Sequence, residues 1–302
     1  MNKKEISKSL EKFVFSLAQE REAHTRFRKG LKYVEAGKYE DAQKIFDEIF
    51  ELVAPKLSQE LRDGILGYLL ITDGDMLMSL GKYSKAIRVW EMALKIHRKT
   101  GEEELVVSEL SALGAAYMNL GKFDEAINYL QEALEVCRKK GYELMEADCY
   151  RSFGEVFRAL GNREKAEEYY NRAIAIFEKL KNLRGLAMCH GSLGVMYGRA
   201  NENEKAISEI EKAIELHRKT KDREYVAADY QNLANVYYNL DKYKMVIDYC
   251  KKAIEVYNGL NGDFSEEIKK CYLLMGKGYE KMGDKNKARE CVKKAKEARK
   301  EK

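Results

Sequence analysis

The chain of 302 residues has one proline, one tryptophan and four histidines. It contains no apolar run approaching the roughly 20 residues that a bilayer-spanning helix needs. The opening residues, Met1, Asn2, Lys3, Lys4 and Glu5, lack the apolar stretch and small-residue cleavage site of a secretory signal. These two absences predict a soluble protein with a cytoplasmic address. No CxxC pair offers thiolates at the two-to-four spacing that zinc favours. GxxxxGK[ST], HExxH, GxSxG and a strand-led GxGxxG are all missing, so the usual means of cradling phosphate, holding catalytic zinc or exposing a nucleophile are missing too. Neither His24 nor His190 has a carboxylate or nucleophile at a spacing that composes a catalytic site, while His97 and His217 belong to runs of basic residues. The carboxylates read as scattered over solvent-facing positions. No enzyme, metal or cofactor is expected. A net charge of +5 is too mild to imply nucleic acid by itself.

What the chain has is a clock. Gly30, Gly74, Gly114, Gly154, Gly194, Ala234 and Gly276 fall at intervals of 44, 40, 40, 40, 40 and 42 residues. An aromatic or leucine follows three residues later, at Tyr33, Leu77, Tyr117, Phe157, Tyr197, Tyr237 and Tyr279. A turn slot comes four further on, at Gly37, Gly81, Gly121, Gly161, Asn201, Asp241 and Gly283. Two small slots then recur, the first running from Ala42 to Ala288 and the second from Ile49 to Ala295. A fixed period of this length marks stacked units, each of which buries its apolar face only against its neighbours.

Within a unit the apolar residues are spaced three and four apart, as in Leu113, Tyr117 and Leu120 and then Ala126, Leu130, Ala133 and Leu134. That spacing predicts two amphipathic helices per unit. The glycine before Phe123 suits a left-handed helix cap. Asp124 and Glu125 open the second helix, and Arg138 and Lys139 close it, matching the helix dipole at both ends. In sister copies His97, Arg98 and Lys99, and His217, Arg218 and Lys219, fill the same closing role. A mid-helix glycine costs ~1 kcal/mol relative to alanine, so its recurrence predicts a close helix approach at that slot.

These slots resemble the tetratricopeptide repeat, and the period of forty resembles the subfamily found in kinesin light chains. The resemblance covers residues 21–302. It implies an all-α, right-handed superhelical solenoid of about seven helix-turn-helix units, approximately 21–56, 57–100, 101–140, 141–180, 181–220, 221–262 and 263–302. Residues 1–20 carry a stripe of Ile6, Leu10, Phe13, Val14 and Leu17, expected to form an N-terminal capping helix or an extension of the first repeat helix. Pro55 and the segment 258–264 read as tolerated insertions. The final helix, 286–302, ends in a basic run.

Repeat position also reads five of the six cysteines. Cys149, Cys189 and Cys271 share one first-helix slot, Cys137 stands where other copies have His97, Phe177, His217 and Tyr257, and Cys250 stands where they have Trp90, Leu130, Tyr170 and Ile210. All are packing positions, which predicts buried, reduced thiols.

The resemblance further implies that first helices line a binding face. The positions it selects include Met118 and Asn119, Arg151 and Arg158, Val195 and Arg199, the group Gln231, Asn232, Asn235, Tyr238 and Asn239, and Lys277. Side-chain amides three and four apart can each donate to and accept from an extended peptide backbone. Alternatively, they tie neighbouring helices together. The arginines can pair ligand carboxylates or be neutralised by Asp148 and Glu155. Gly191, Val195 and Gly198 leave open space between the two groups. The lysines, asparagines and arginine of a chaperone-tail clamp are incomplete, since Gly191, Val195 and Leu274 stand at three of its positions. The function expected is a non-catalytic scaffold that holds an extended or helical segment of a partner protein, as a monomer or weak homo-oligomer. The alternatives are an RNA-binding solenoid that uses the groove arginines and basic tail, and a self-assembling structural protein.

Overall fold

The computed structural model describes residues 3–298, with side chains from Ser9 onward except that of Ala18. The Ile6 side chain and the end of the basic tail, residues 299–302, lie outside the described residues. Fifteen α-helices and no strands are found among the described residues. They form two compact units, Met1–Leu160 and Gly161–Lys302.

The first unit contains α1 (Lys3–Gln19), α2 (Arg21–Glu35), α3 (Tyr39–Val53), α4 (Gln59–Ser79), α5 (Tyr83–Thr100), α6 (Glu103–Asn119), α7 (Phe123–Lys140) and α8 (Glu143–Ala159). α2 packs on α3, α4 on α5 and α6 on α7 as antiparallel hairpins, and α6 also meets α8. The second unit contains α9 (Arg163–Lys179), α10 (Leu183–Arg199), α11 (Asn203–Lys219), α12 (Arg223–Asn239), α13 (Tyr243–Asn258), α14 (Ser265–Lys281) and α15 (Lys285–Glu297). There α10 pairs with α11, α12 with α13 and α14 with α15, while α12 lies between α10 and α14.

The hairpin turns follow from backbone sterics. Gly37, Gly81, Gly121, Gly161 and Gly283 have φ between 69° and 81°, and Asn201 and Asp241 have 59° and 57°. A side chain in this left-handed region crowds the following carbonyl, hence glycine or a short polar residue at every copy.

The mid-helix glycines seat a side chain of the second helix. A Cβ on Gly30 would stand 2.6 Å from Phe46, on Gly74 2.4 Å from Trp90, on Gly114 2.9 Å from Leu130 and on Gly194 2.4 Å from Ile210. The sixth unit has Ala234 at this slot and only Cys250 at the partner slot, so the smaller partner leaves room for one methyl. The first small slot is fully buried from Ala42 to Val246, as is the second from Ile49 to Ala253. Alanine at every copy but Val246 and Ile49 lets the helices close while the large residues between them leave water, worth about 1.5–3 kcal/mol for each fully buried leucine or phenylalanine.

α1 covers the edge of the first hairpins, touching α2, α3 and α4. Phe13 and Leu17 are buried, and the Phe13 ring lies 4.6 Å from that of Phe50. Val14, expected on the same stripe, is 45% exposed because it sits about 100° around the helix from Phe13.

All six cysteines are buried and unbridged. Two readings of polar residues need correction. His97 and His217 are not solvated helix-end cations, for both are buried against carboxylates, Glu109 and Asp229. Nor are the carboxylates confined to solvent: Asp63, Glu109 and Asp229 are buried. Lys99 of the same hairpin compensates the lost hydration of Asp63, and His97 and His217 of the preceding hairpins do so for Glu109 and Asp229.

Candidate functional site

The site is built most clearly in the second unit, on the faces that α10 and α12 leave uncovered. α12 buries Val226, Ala227, Asp229, Tyr230, Leu233, Ala234 and Val236. Its opposite stripe carries Ala228, Gln231, Asn232, Asn235, Tyr238 and Asn239, none of them buried. The same spacing on α10 brings Val195 and Arg199 to the uncovered face, with Arg199 exposed. Between the two helices is a recess of about 240 Å³ lined by Val195, Gly198, Arg199, Ile210, Asn232, Asn235, Val236 and Asn239. Its walls are apolar at Val195, Ile210 and Val236, and polar at one guanidinium and three amides. Gly198 keeps it open, since a Cβ there would reach within 3.1 Å of Val236.

The amides are less free than their spacing alone suggests. Asn235 Nδ2 donates to the Gln231 carbonyl at 3.0 Å, and Asn239 Nδ2 donates to the Gly198 carbonyl at 3.4 Å. The second bond ties α12 to α10 and closes one end of the recess. Asn232 adjoins the buried Asp229, whose carboxyl burial pushes up and whose neighbours, His217 first, pull back down. A side-chain amide offers two donor hydrogens and two acceptor lone pairs, so each keeps capacity for a ligand. Lys277 lies on the exposed stripe of α14 with Lys270, Leu273, Glu280 and Lys281.

His190 adds a contact that its sequence neighbours do not reveal. Its Nδ1 is 2.6 Å from Glu209 Oε2, and Lys212 lies 2.7 Å from the other oxygen. Burial pushes the Glu209 carboxyl up, but the contacts with His190 and Lys212 outweigh it and hold the group below its ordinary range. This is a compensated structural cluster.

In the first unit, Met118 is half-buried and the Asn119 amide donates to the Ala115 carbonyl at 2.8 Å. Arg151 lies 3.6 Å from Asp148, and Arg158 is ion-paired with Glu155. Of the two readings open for these arginines, internal pairing describes the structure. No group of three metal-ligating side chains is found among the described residues, nor is any described helix long and apolar enough to cross a membrane.

A family model for the tetratricopeptide repeat matches residues 106–179 and 224–301, together half of the chain. The chain belongs to the tetratricopeptide repeat family. A model of anaphase-promoting complex subunit 5 also matches residues 168–243. No curated protein matches the sequence. Among solved structures, the tetratricopeptide repeat chain is similar to a Rap protein complexed with competence and sporulation factor, at 20% identity and a TM-score of 0.60, over 93% of this chain and 79% of that one. It is also similar to NprR in complex with its cognate peptide NprX, at 16% identity and a TM-score of 0.55, over 92% and 78%. The TPR-like repeats named for a kinesin light chain of Podospora anserina match at 15% identity and a TM-score of 0.53, over 64% and 94%. At these identities the likeness is one of fold.

Within this tetratricopeptide repeat chain, then, the recess joins Val195, Arg199, Asn232, Asn235 and Asn239, while Gln231 and Tyr238 lie outside it on the same helix. Tyr238 instead packs edge-on against Tyr243, with ring centroids 5.7 Å apart. Ile210 and Val236 complete the recess but were not selected by the repeat spacing. Their apolar periodicity is that of core residues: Ile210 on α11 and Val236 on α12 are both buried and line the recess from the core side.

Proposed function

We propose that this protein is a non-catalytic scaffold that holds an extended segment of a partner protein against the first-helix face of its second unit. The observation that carries the proposal is the recess between α10 and α12, where apolar walls meet a rim of amides and one guanidinium. Apolar walls take a ligand side chain, and convergent polar groups fix its orientation. Amides that both donate and accept suit the unpaired N–H and C=O groups of an extended backbone. The Rap protein and NprR, of similar fold, are seen with competence and sporulation factor and with a cognate peptide, which supports a peptide-sized occupant here. Six buried, unbridged thiols support a cytoplasmic address.

The test is a pull-down from the native host read by mass spectrometry, comparing the native chain with the double variant Arg199→Ala and Asn235→Ala. Both residues are exposed, so far-ultraviolet circular dichroism should not change. A partner recovered by the native chain should be lost from the variant. Equal recovery by both would remove the recess from the binding site.

A further inference from the structure

The geometry points to an acidic segment as the occupant, an extended stretch of a partner protein carrying several Asp or Glu side chains. This inference rests on the preceding assignment of the second unit's first-helix face as a peptide site.

The argument is one of unbalanced charge. In the first unit the arginines of α8 are neutralised by Asp148 and Glu155 on the same helix. In the second unit, Arg199 at the end of α10 and Lys270, Lys277 and Lys281 on α14 are all exposed. Among the described residues no carboxylate lies within ion-pair distance of any of these four. Lys269, at the margin of the same stripe, is held by Glu266 at 3.0 Å. Glu266 and Glu280 are the carboxylates on the α14 stripe, and Glu266 is taken up by Lys269. Between these two cationic margins lies α12, whose uncovered stripe carries amides and no charge.

Spacing decides between one carboxylate and several. Eleven residues of helix separate Lys270 from Lys281, a distance of about 16 Å along the axis. One carboxylate, such as a chain terminus, reaches only one of them. An extended chain advances about 3.3 Å per residue, so roughly five residues run the length of this row. Acidic side chains on such a segment meet lysines from one margin and Arg199 from the other, while a small apolar side chain enters the recess. Lysine suits this task because its flexible stem adjusts a point charge to each carboxylate.

A polyanion of another class, single-stranded RNA, also seeks cations, but it gains much of its affinity from bases stacked on aromatic platforms. The one aromatic ring on this stripe, Tyr238, is already engaged by Tyr243. The chain as a whole carries only +5.

The experiment is fluorescence anisotropy with the full chain and three labelled flexible peptides of about twelve residues, enough to cross both margins. One alternates Asp with Gly and Val, and the others replace Asp with Asn or with Lys. At low salt the Asp peptide should bind roughly tenfold tighter than the Asn peptide, the sum of several exposed ion pairs, and added salt should shrink this advantage. The Lys peptide should not bind. Combined Lys270→Glu, Lys277→Glu and Lys281→Glu should abolish the preference. Lys277→Gln alone, a milder change at an exposed site, should lose about threefold. Equal binding of the Asp and Asn peptides would overturn the acidic preference while leaving the peptide site in place. No binding by any peptide would overturn both. An oligouridylate that displaces the Asp peptide at lower concentration than the Asp peptide itself would assign the cations to nucleic acid instead.

Discussion

His217 Nδ1 stands 2.9 Å from Asp229 Oδ2 across the junction of α11 and α12, with both side chains buried. Three repeats earlier His97 and Glu109 occupy the same two slots, hydrogen-bonded and buried across α5 and α6. In the two intervening repeats those slots hold Cys137 with Cys149 and then Phe177 with Cys189, all four buried. The slot pair therefore accepts an imidazole with a carboxylate, two thiols or an aromatic ring with a thiol, buried where one hairpin meets the next.

That coupling predicts a non-additive response. His217→Ala leaves the Asp229 carboxylate buried without its partner and should cost about 3 kcal/mol. Replacing both residues by cysteine reproduces the buried Cys137 and Cys149 pair of the same slots two repeats earlier and should cost less than the single change. Urea unfolding of the native, single-variant and double-variant chains measures the difference. A double replacement costing more than His217→Ala would refute the coupling.

The same pair predicts a pH dependence. Burial raises the Asp229 carboxyl above its ordinary value, despite the opposing pull of His217. Its folded state thus favours the proton more than its unfolded state does. The resulting stabilisation is full below the ordinary carboxylate value and is lost as pH rises through the raised one. Compared with Asp229→Asn, which does not titrate, the native chain should lose relative stability as pH rises above the ordinary carboxylate range of about 4. Urea midpoints for both proteins across this range test the sign, and a native advantage that grows with pH would contradict it.

Two glycines at one repeat slot should respond in opposite directions to alanine. A Cβ on Gly194 would lie 2.4 Å from Ile210 Cγ1 and 3.2 Å from the Ile210 backbone nitrogen, so Gly194→Ala should cost about 1–3 kcal/mol. On Gly276 the nearest atoms are at 3.5 Å, an ordinary contact, and helix propensity then favours alanine by about 0.5–1 kcal/mol. Thermal melts of the two variants should move down and up respectively. A shift in the same direction for both would show that the close approach at Gly194 does not govern the slot.

Lys181 and Lys221 hold the left-handed conformation at φ 53° and 61°, at the junctions where the first unit has Gly101 and Gly141. Replacing either lysine with glycine removes a steric cost of about 1–2 kcal/mol and restores about half of it as chain entropy in the unfolded state. Each variant should melt about 1–3 °C higher. A lower melting temperature would mean that the lysine stem contributes more by packing than its backbone loses.

The helices and turns were legible because their causes are local. Leu113, Tyr117 and Leu120 announce a helix by spacing alone, and Gly121 announces its end because only a left-handed residue fits there. The uses of side chains were less legible. His97 and His217 read as basic helix ends beside Arg98 and Arg218, since nothing in a linear run shows that Glu109 or Asp229 will face them. The amide row on α12 was visible as a pattern, yet Asn239 spends a donor on Gly198 of the previous hairpin. Arg151 and Arg158 promised ligand contacts, but Asp148 and Glu155 on their own helix take them up.

By itself the sequence determined the repeat, the helix pairs, the left-handed turns and the small residues on which neighbouring helices close. Each of these follows from backbone sterics and helical periodicity acting over a few residues. Only the tertiary structure decided which polar groups cancel one another, where a recess opens between α10 and α12, and which cations are left unmatched. Those outcomes depend on the register between helices tens of residues apart, which packing sets and no local pattern encodes.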